Sequence, residues 1–548
     1  MYFVAPAGSA FSRSLLGTAV YNHDAVLNAG ILEWGFRSIS TSGLSFFDWP
    51  PGFPLKNGLA ATENLAGWQL FYAPVRSLGA TVAASYNVAL LASFLVAGLS
   101  TAAFSRRLGA SRAGALIAGF AFAFNPFHLD HAIHIQTMAI CWSPLALLGL
   151  DLALEGRSYS GLAMLGSGFV MTFLCGMYFG VFLSMVIALY VLAALLARRY
   201  EPNVGALARI AATIAVALAV LSPIFIHYVR YASSFGAYPH TTTELSLSSL
   251  PLEALIRTPT WLWAWNRTVL TTAVPGQFVG AFPGFVTLAL AGFGLASRKA
   301  THASRSAVSV LLIVAVICFL LALGPDVEIH SRVPSPWLTA LPLPGKLWIA
   351  FSAVRWPMRI FMYSVLCIAL VAGLGATKLL DRLSSKQYPI VASIIVVLMF
   401  VELRPASWFA SSSVRIVDPI RMSSAYAFLA RERDRGGIVE LPSRMDSGIA
   451  TPFATRYAYG SAGHLRGVIA FHGSLFPSLL DSLRLASYDL PNPDAVRMMV
   501  SHGVSRVVLH SDLMSADSFD RLMRAFLSNG DSILFQSSGS VVMTLSHR

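Results

Sequence analysis

Long apolar runs that recur along the first 403 residues constrain this chain more than any other feature. Each run is about 17–23 residues long, the length at which a helix crosses the hydrocarbon core of a membrane. A shorter run at 112–127 is rich in small residues that let helices pack closely, and we count it as a further span. The full-length runs predict membrane-spanning helices at residues 82–104, 137–154, 160–176, 178–197, 209–229, 279–296, 306–323, 361–380 and 388–403.

Composition agrees with this interpretation. The 548 residues are 55% hydrophobic and only 12% charged, whereas soluble domains are typically about 25% charged. Lys and Arg outnumber Asp and Glu by 39 to 26, and the excess lies mostly in short gaps such as Arg106-Arg107 and Arg198-Arg199. This placement is typical of cytoplasmic loops, and no nucleic-acid-binding motif competes with it. The four cysteines lie inside apolar runs, so we expect neither a disulfide nor a thiolate metal site.

The basic gaps also predict an orientation. Alternating spans place five short gaps in the cytoplasm, at 105–112, 155–159, 198–208, 297–305 and 378–387. The same alternation places the long connections on the external side, at 1–81, 128–136, 230–278, 324–360 and everything after 404.

The N-terminal segment has two parts. Residues 1–22 resemble neither a signal peptide nor a span, and we therefore expect that a first helix is missing or partial at the start of this sequence. Residues 23–81 contain aromatic and proline-rich stretches, which predict amphipathic helices that rest on the external membrane surface.

After residue 403 the composition becomes charged and mixed. Apolar runs at 437–442, 505–510, 532–537 and 540–545 predict strands, and 420–433, 493–502 and 515–528 predict helices. The expected fold is thus mainly α: a polytopic bundle of about 10–11 transmembrane helices with external interfacial helices and a small C-terminal α/β domain. The expected domains are a membrane domain at 1–403, with 23–81 as its first external loop, and a soluble external domain at 404–548.

Asp24 is the first candidate catalytic residue. It precedes an apolar helix in the first external loop, where a carboxylate could act as a general base or bind a ligand. The alternative is a helix cap, with Asn28 and Glu33 facing the surface.

A histidine-rich stretch follows the short span. His128, His131 and His134 are spaced by three residues near Asp130 and Gln136, a pattern that could ligate a metal. On a helix these histidines would fan over about 120°, and no fourth ligand is evident, so we expect polar-headgroup or phosphate binding, or a structural cluster, and no metal.

Arg355 and Arg359 lie directly before the span at 361–380. Two arginines at this spacing face the same way on a helix, and their guanidinium groups suit phosphate oxygens. The alternative is that they reach the lipid headgroups without a specific ligand.

These segments, taken in order, resemble poorly characterised bacterial multi-pass proteins that look like members of the C-fold glycosyltransferase superfamily. The resemblance covers nearly the whole chain, although Gly30 stands where a larger residue is usual. It is carried by Asp24 with Asn28 to Trp34, Tyr86-Asn87, Arg107 to Arg112, Ala121 to Pro126, His131, His134 to Gln136, Phe282-Pro283-Gly284, Arg355 to Arg359, Glu440-Leu441-Pro442 and Gly503-Val504.

The resemblance implies a transferase that moves a sugar from a polyprenyl-phosphate-linked donor to a glycan, lipid or protein acceptor. Asp24 matches the catalytic carboxylate, and the expected substrate-binding residues are Glu33, His128, His131, His134, Gln136, Arg355 and Arg359. No cofactor is expected beyond a possible divalent cation. The expected location is a bacterial inner membrane, with the C-terminal domain in the periplasm or outside the cell. The alternative is a non-enzymatic membrane protein: a transporter of lipid-linked glycans or a partner in cell-envelope assembly.

Overall fold

The computed structural model describes most of the chain, in segments separated by gaps. Arg355 lies in one of those gaps, and so do most of residues 1–22. The described residues are 11–12, 14–15, 23–156, 158–201, 203–235, 248–265, 268, 281–296, 302–324, 357–405, 414–444, 451–471 and 477–546.

Helices form at every predicted span. We number the α-helices along the chain, beginning with α1 and α2 of the segment 23–81. The first nine are α1 (His23–Ser40), α2 (Gln69–Ser77), α3 (Val82–Arg107), α4 (Arg112–Ala123), α5 (Pro126–Asp130), α6 (Ser143–Glu155), α7 (Tyr159–Cys175), α8 (Met177–Leu196) and α9 (Val204–Phe235).

The second half of the described chain continues this series. Four further helices coincide with predicted spans, and five belong to the C-terminal segment. They are α10 (Phe285–Ala296), α11 (His302–Ala322), α12 (Phe361–Leu380), α13 (Gln387–Leu403), α14 (Ser424–Arg431), α15 (Thr451–His464), α16 (Ser478–Tyr488), α17 (Pro493–Ser501) and α18 (Ala516–Ser528).

Six helical segments of the described chain are long and apolar enough to cross a membrane: Val82–Arg107, Ile135–Glu155, Met177–Leu196, Val204–Ser234, Arg305–Ala322 and Pro357–Leu380. Shorter apolar helices are α7, α10 and α13. The predicted span at 112–127 corresponds to α4, which at 12 residues is about 18 Å long and therefore shorter than the hydrocarbon core. The protein is thus a multi-pass, mainly helical membrane protein.

The described chain divides into two compact units. One contains Leu90–Ser222 and Tyr238–Ser411, and the other contains Val4–Ala89, Pro223–Ala237 and Ser412–Arg548. The predicted division placed 23–81 with the membrane helices, whereas the structure groups that loop with the C-terminal segment.

Close backbone contact explains the small residues of α4 in the first unit. A Cβ atom on Gly114 would meet the carbonyl oxygen of Gly373 on α12, and one on Gly119 would lie 2.5 Å from the carbonyl oxygen of Gly98 on α3. Larger residues at these positions would push the helices apart. The close packing predicted from composition is therefore confirmed.

The second unit contains a four-stranded sheet in the order β3 (Gly437–Leu441), β4 (Val504–His510), β6 (Ser540–Thr544) and β5 (Ile533–Gln536). The strands β3 and β4 are parallel, and the other pairs are antiparallel. The predicted strands are confirmed, whereas α15 and α16 were not predicted. The strands of the described chain are β1 (Ser14–Leu15), β2 (Val414–Arg415), β3 (Gly437–Leu441), β4 (Val504–His510), β5 (Ile533–Gln536) and β6 (Ser540–Thr544).

The segment 23–81 packs within this second unit. The helix α1 buries residues on all its sides, and a Cβ atom on Gly30 would lie 3.1 Å from the Cα atom of Tyr459 on α15. The carbonyl oxygen of Pro50 accepts a hydrogen bond from the Val468 amide at 3.0 Å. Most of α1 is therefore packed against protein, and its position relative to the membrane surface stays a prediction.

Candidate active site

Asp24 lies in the first turn of α1, where the helix dipole favours a negative charge. Its side chain is half-buried. The carboxylate interacts electrostatically with the hydroxyl of Tyr86 at the start of α3. That hydroxyl is completely buried and has no hydrogen-bond partner among the described residues. A carboxylate therefore lies near a buried hydroxyl group whose hydrogen-bonding capacity is unused within the described structure.

Asn28 and Glu33 do not face the surface, which corrects the alternative interpretation of α1. Asn28 is 3% exposed and Glu33 is completely buried. The Glu33 oxygens accept hydrogen bonds from Arg37 Nε (2.8 Å), the Tyr72 hydroxyl (2.7 Å), Arg76 Nε (2.9 Å) and Arg76 Nη2 (3.0 Å). Glu33, which we predicted to bind substrate, is thus held by three side chains of its own unit.

Burial holds His128 neutral, although its hydrogen bonds to backbone carbonyls oppose this effect. It is completely buried, and Nδ1 lies 2.9 Å from the carbonyl oxygen of Phe122, to which it donates in the neutral form. Burial lowers the pKa of His128 to about 4. Its Nε2 atom has no hydrogen-bond partner within the described part of the chain. At neutral pH, His128 contributes a dipole and no charge.

The three histidines do not share one helix, so the predicted helical fan is wrong. The helix α5 ends at Asp130, and the chain continues as 3-10 helices at His131–Ile133 and Ile135–Trp142. The His131 ring stacks on Phe127 at a centroid distance of 3.9 Å. The centroids of the His131 and His134 rings are 6.0 Å apart. Among the described residues, no group of three His, Cys, Asp or Glu side chains is placed to hold a metal.

Two basic side chains, His134 and Arg359, lie near His131. Burial lowers the pKa of His131 well below its usual value, and the nearby His134 and Arg359 lower it further. The Nδ1 atom of His131 lies 3.1 Å from the carbonyl oxygen of Phe127, to which it donates. This pairing directs Nε2 away from that carbonyl. The region combines a guanidinium with two imidazoles, a combination that suits an anion.

Arg359 belongs to the 3-10 turn Pro357–Ile360 that leads into α12. Its guanidinium carbon lies 5.8 Å from the centroid of the Tyr178 ring, within the range of a cation–π contact. Arg355, its predicted partner, lies outside the described residues. Gln136, also predicted to bind substrate, is half-buried in the 3-10 helix Ile135–Trp142.

Asp130 is a candidate that the sequence interpretation did not select. Its Oδ2 atom lies 3.6 Å from His131 Nδ1. Burial raises the pKa of Asp130 to about 6, while the neighbouring Trp261 side chain opposes the rise. A carboxyl group that titrates near neutral pH is suited to proton transfer. The available signal was that Asp130 is the only acidic residue in the external gap 128–136.

The structure therefore groups the predicted residues in two places. His131, His134 and Arg359 come together in the first unit, with Asp130 and the buried His128 beside His131. Asp24 and Glu33 belong to the second unit, where Glu33 serves the packing of α1.

Several solved structures are similar to the chain. ArnT from Cupriavidus metallidurans in the apo state is 13% identical with a TM-score of 0.46, covering 98% of this chain and 95% of ArnT. The same protein bound to undecaprenyl phosphate gives a TM-score of 0.47 at the same identity and coverage. The apo oligosaccharyltransferase of Archaeoglobus fulgidus is 13% identical with a TM-score of 0.41, covering 96% of this chain and 75% of that chain. These are C-fold membrane glycosyltransferases, the superfamily that the sequence resembles.

Sequence comparison gives a family for the membrane helices. No curated protein matches the chain. One family model matches residues 68–404, which is more than half of the sequence and includes the histidine stretch and Arg359. The chain belongs to the family described as a domain of unknown function, DUF6311.

Proposed function

We propose that the protein is a membrane glycosyltransferase that moves a sugar from a polyprenyl-phosphate-linked donor to an acceptor on the external face of a bacterial inner membrane. The observation that carries the proposal is the convergence of His131, His134 and Arg359 in the first unit. Arg359 is the permanent cation of this group, and imidazole N–H groups can donate hydrogen bonds to phosphate oxygens, so the region suits an anion. The phosphate of a lipid-linked donor is an anion of the required kind, held at the start of a long apolar helix.

The buried surroundings of Arg359 also support a lipid phosphate. In the most apolar stretch of the segment Pro357–Leu380, 89% of the residues are buried inside the protein. Arg359 lies in the first turn of this segment. A guanidinium at the start of a membrane helix is well placed to meet the phosphate of a lipid. The guanidinium can donate two parallel hydrogen bonds to phosphate oxygens, which a lysine cannot do.

Asp24 is the proposed base. Its carboxylate accepts the proton of an acceptor hydroxyl while that oxygen forms a bond to the anomeric carbon of the sugar. The bond between this carbon and the phosphate oxygen breaks, and its electron pair leaves with the polyprenyl phosphate.

The proposed partners are the lipid-linked sugar, membrane lipid, and a glycan, lipid or protein acceptor, without nucleic acid. The reaction as written is balanced without a cofactor, because the lipid phosphate is already an activated leaving group. Addition of a chelator to the assay tests whether a divalent cation takes part.

The test is a transfer assay with the full-length protein in liposomes. Polyprenyl-phosphate-linked sugars, labelled in the sugar, are added with a bacterial envelope extract as the source of acceptor. The proposal expects label to leave the lipid fraction and polyprenyl phosphate to accumulate, both reduced by Asp24→Asn. Movement of intact lipid-linked sugar across the bilayer without cleavage would support a transporter instead. Absence of both cleavage and movement would favour an assembly partner.

A further inference from the structure

An apolar groove of about 650 Å³ lies between α7 and the first half of α9, outside the candidate site. The residues that line the groove recur at the same spacing on both helices. The residues on α7 are Tyr159, Leu162, Ala163, Gly166, Ser167 and Val170, and those on α9 are Arg209, Ala212, Thr213, Val216, Ala217 and Val220. Steps of three and four residues place each set on one face of its helix.

The two helices touch at the floor of the groove. A Cβ atom on Gly166 would lie 3.2 Å from the Cγ2 atom of Thr213, so the glycine allows close approach at this point. Above the floor, α9 is exposed. Only 22% of the residues in its most apolar stretch are buried, and the side chains of Val216 and Val220 are more than half exposed. A surface of this composition on a membrane helix faces hydrocarbon chains.

One end of the groove is polar. Arg209 is half-buried there, and no carboxylate pairs with it among the described residues. Tyr159, which is 83% exposed, lies at the same end. Both residues stand near the start of their helices, and arginine and tyrosine at such positions commonly meet the headgroup region.

We propose that this groove binds one anionic phospholipid, with the lipid phosphate on Arg209 and an acyl chain between α7 and α9. The apolar walls recognise the chain, and the guanidinium gives the preference for a negative headgroup. The inference does not depend on glycosyl transfer, because the groove contains none of the proposed reacting groups.

The test compares phosphatidylglycerol with phosphatidylcholine of identical acyl chains. Native mass spectrometry of the purified full-length protein in detergent measures the affinity for the first lipid molecule that binds. We expect wild-type protein to prefer phosphatidylglycerol, and Arg209→Gln to weaken binding of that lipid about five- to tenfold with little change for phosphatidylcholine. Arg112→Gln, an exposed arginine at the start of α4 that does not line the groove, is the matched control and should behave as wild type.

A second variant tests the groove itself. Ala212→Trp fills the space beside Arg209 and should weaken both lipids, so the proposal stays testable if Arg209→Gln does not fold. Unchanged lipid preference in Arg209→Gln, or an equal loss in Arg112→Gln, would overturn the proposal. Displacement of the lipid by inorganic phosphate, or by undecaprenyl phosphate but not by phosphatidylglycerol, would also overturn it.

Discussion

Arg76 donates two hydrogen bonds to the buried carboxylate of Glu33, from Nε to Oε2 at 2.9 Å and from Nη2 to Oε1 at 3.0 Å. The same guanidinium donates from Nη2 to Asp418 Oδ2 at 2.8 Å. Glu33 belongs to α1, Arg76 to α2, and Asp418 to the segment that follows β2. One arginine thus joins two helices of the N-terminal segment to the C-terminal segment within a single unit.

Removal of Arg76 should destabilise this unit. Arg76→Met keeps the length of the side chain but leaves the fully buried Glu33 with Arg37 as its one cationic partner among the described residues. Loss of one partner from a buried ion pair costs about 3–5 kcal/mol, and the remaining contact with Arg37 places the expected cost at the lower end of this range. The midpoint of thermal unfolding in detergent measures the effect.

The double variant Glu33→Leu with Arg76→Met separates the ion pair from packing. It should recover part of the lost stability, because no buried charge is left without its partner. Arg497→Ala is the control: its pair with Asp494 is exposed and should contribute less than about 1 kcal/mol. If Arg76→Met unfolds at the same temperature as Arg497→Ala, the network does not hold the unit together.

Periodicity and run length predicted much of the fold. Apolar runs long enough to span a membrane form helices, and the four C-terminal runs form β3 to β6. Both kinds of element could be predicted because each is specified by a local sequence pattern. The helices α15 and α16 were not predicted because their mixed sequences lack a long apolar run. The environment of α1 could not be predicted either, since its contact with α15 joins residues more than 400 positions apart, as Gly30 and Tyr459 show.

Long-range charge pairing was also hidden in the sequence. Asp151 appeared as a single acid within an apolar run, yet its carboxylate accepts hydrogen bonds from Arg107 at 2.9 Å, Arg199 at 3.0 Å and Tyr190 at 2.7 Å. From the sequence, the two arginines indicate cytoplasmic gaps, and nothing in their spacing pairs them with Asp151. Similarly, the helical fan of histidines was wrong because spacing alone does not show where α5 changes to a 3-10 helix.

Asp24→Asn should abolish most transferase activity while the protein still folds. Asparagine has nearly the same size and retains much of the capping ability of aspartate, but it cannot accept the acceptor proton. The expected loss is about 10²–10⁴ in rate, measured as release of polyprenyl phosphate. Asp24→Glu keeps the carboxylate and should retain more activity than Asp24→Asn. Wild-type rates in a well-folded Asp24→Asn protein would remove Asp24 from the reaction.

Arg359→Lys should weaken binding of a polyprenyl phosphate about tenfold, because lysine keeps the charge but loses the paired donors. Arg359→Gln should weaken it further. Titration of the purified protein with undecaprenyl phosphate measures both. Arg382→Gln, an exposed arginine beyond the other end of α12, serves as the control. Equal affinity in wild type and Arg359→Gln would leave contact with the headgroup region as the role of Arg359.

Asp130→Asn should stabilise the protein, and more so as the pH rises. Because the folded state raises the pKa of Asp130 from 3.8 to about 6, it favours the protonated carboxyl group. The stability gained from this preference is fully present below about pH 4 and is lost as the pH rises through about 6. Asparagine is always neutral, so its unfolding midpoint should match wild type near pH 4 and exceed it at pH 7. Asp512→Asn, at an exposed pair with Arg456, should show no such divergence; a constant difference for Asp130→Asn would show that ionisation of Asp130 has no part in stability.

The C-terminal domain should lie on the external side of the membrane. The basic gap at 378–387 is expected in the cytoplasm, and α13 is the single span between that gap and the domain. All four native cysteines are buried, so a cysteine introduced at an exposed serine gives a clean signal with a maleimide that cannot cross membranes. Ser528→Cys should react in intact cells, and Ser384→Cys should react only after the membrane is opened. The reverse pattern would invert the orientation, and it would place the C-terminal domain and Asp24, which belong to the same unit, on the cytoplasmic side.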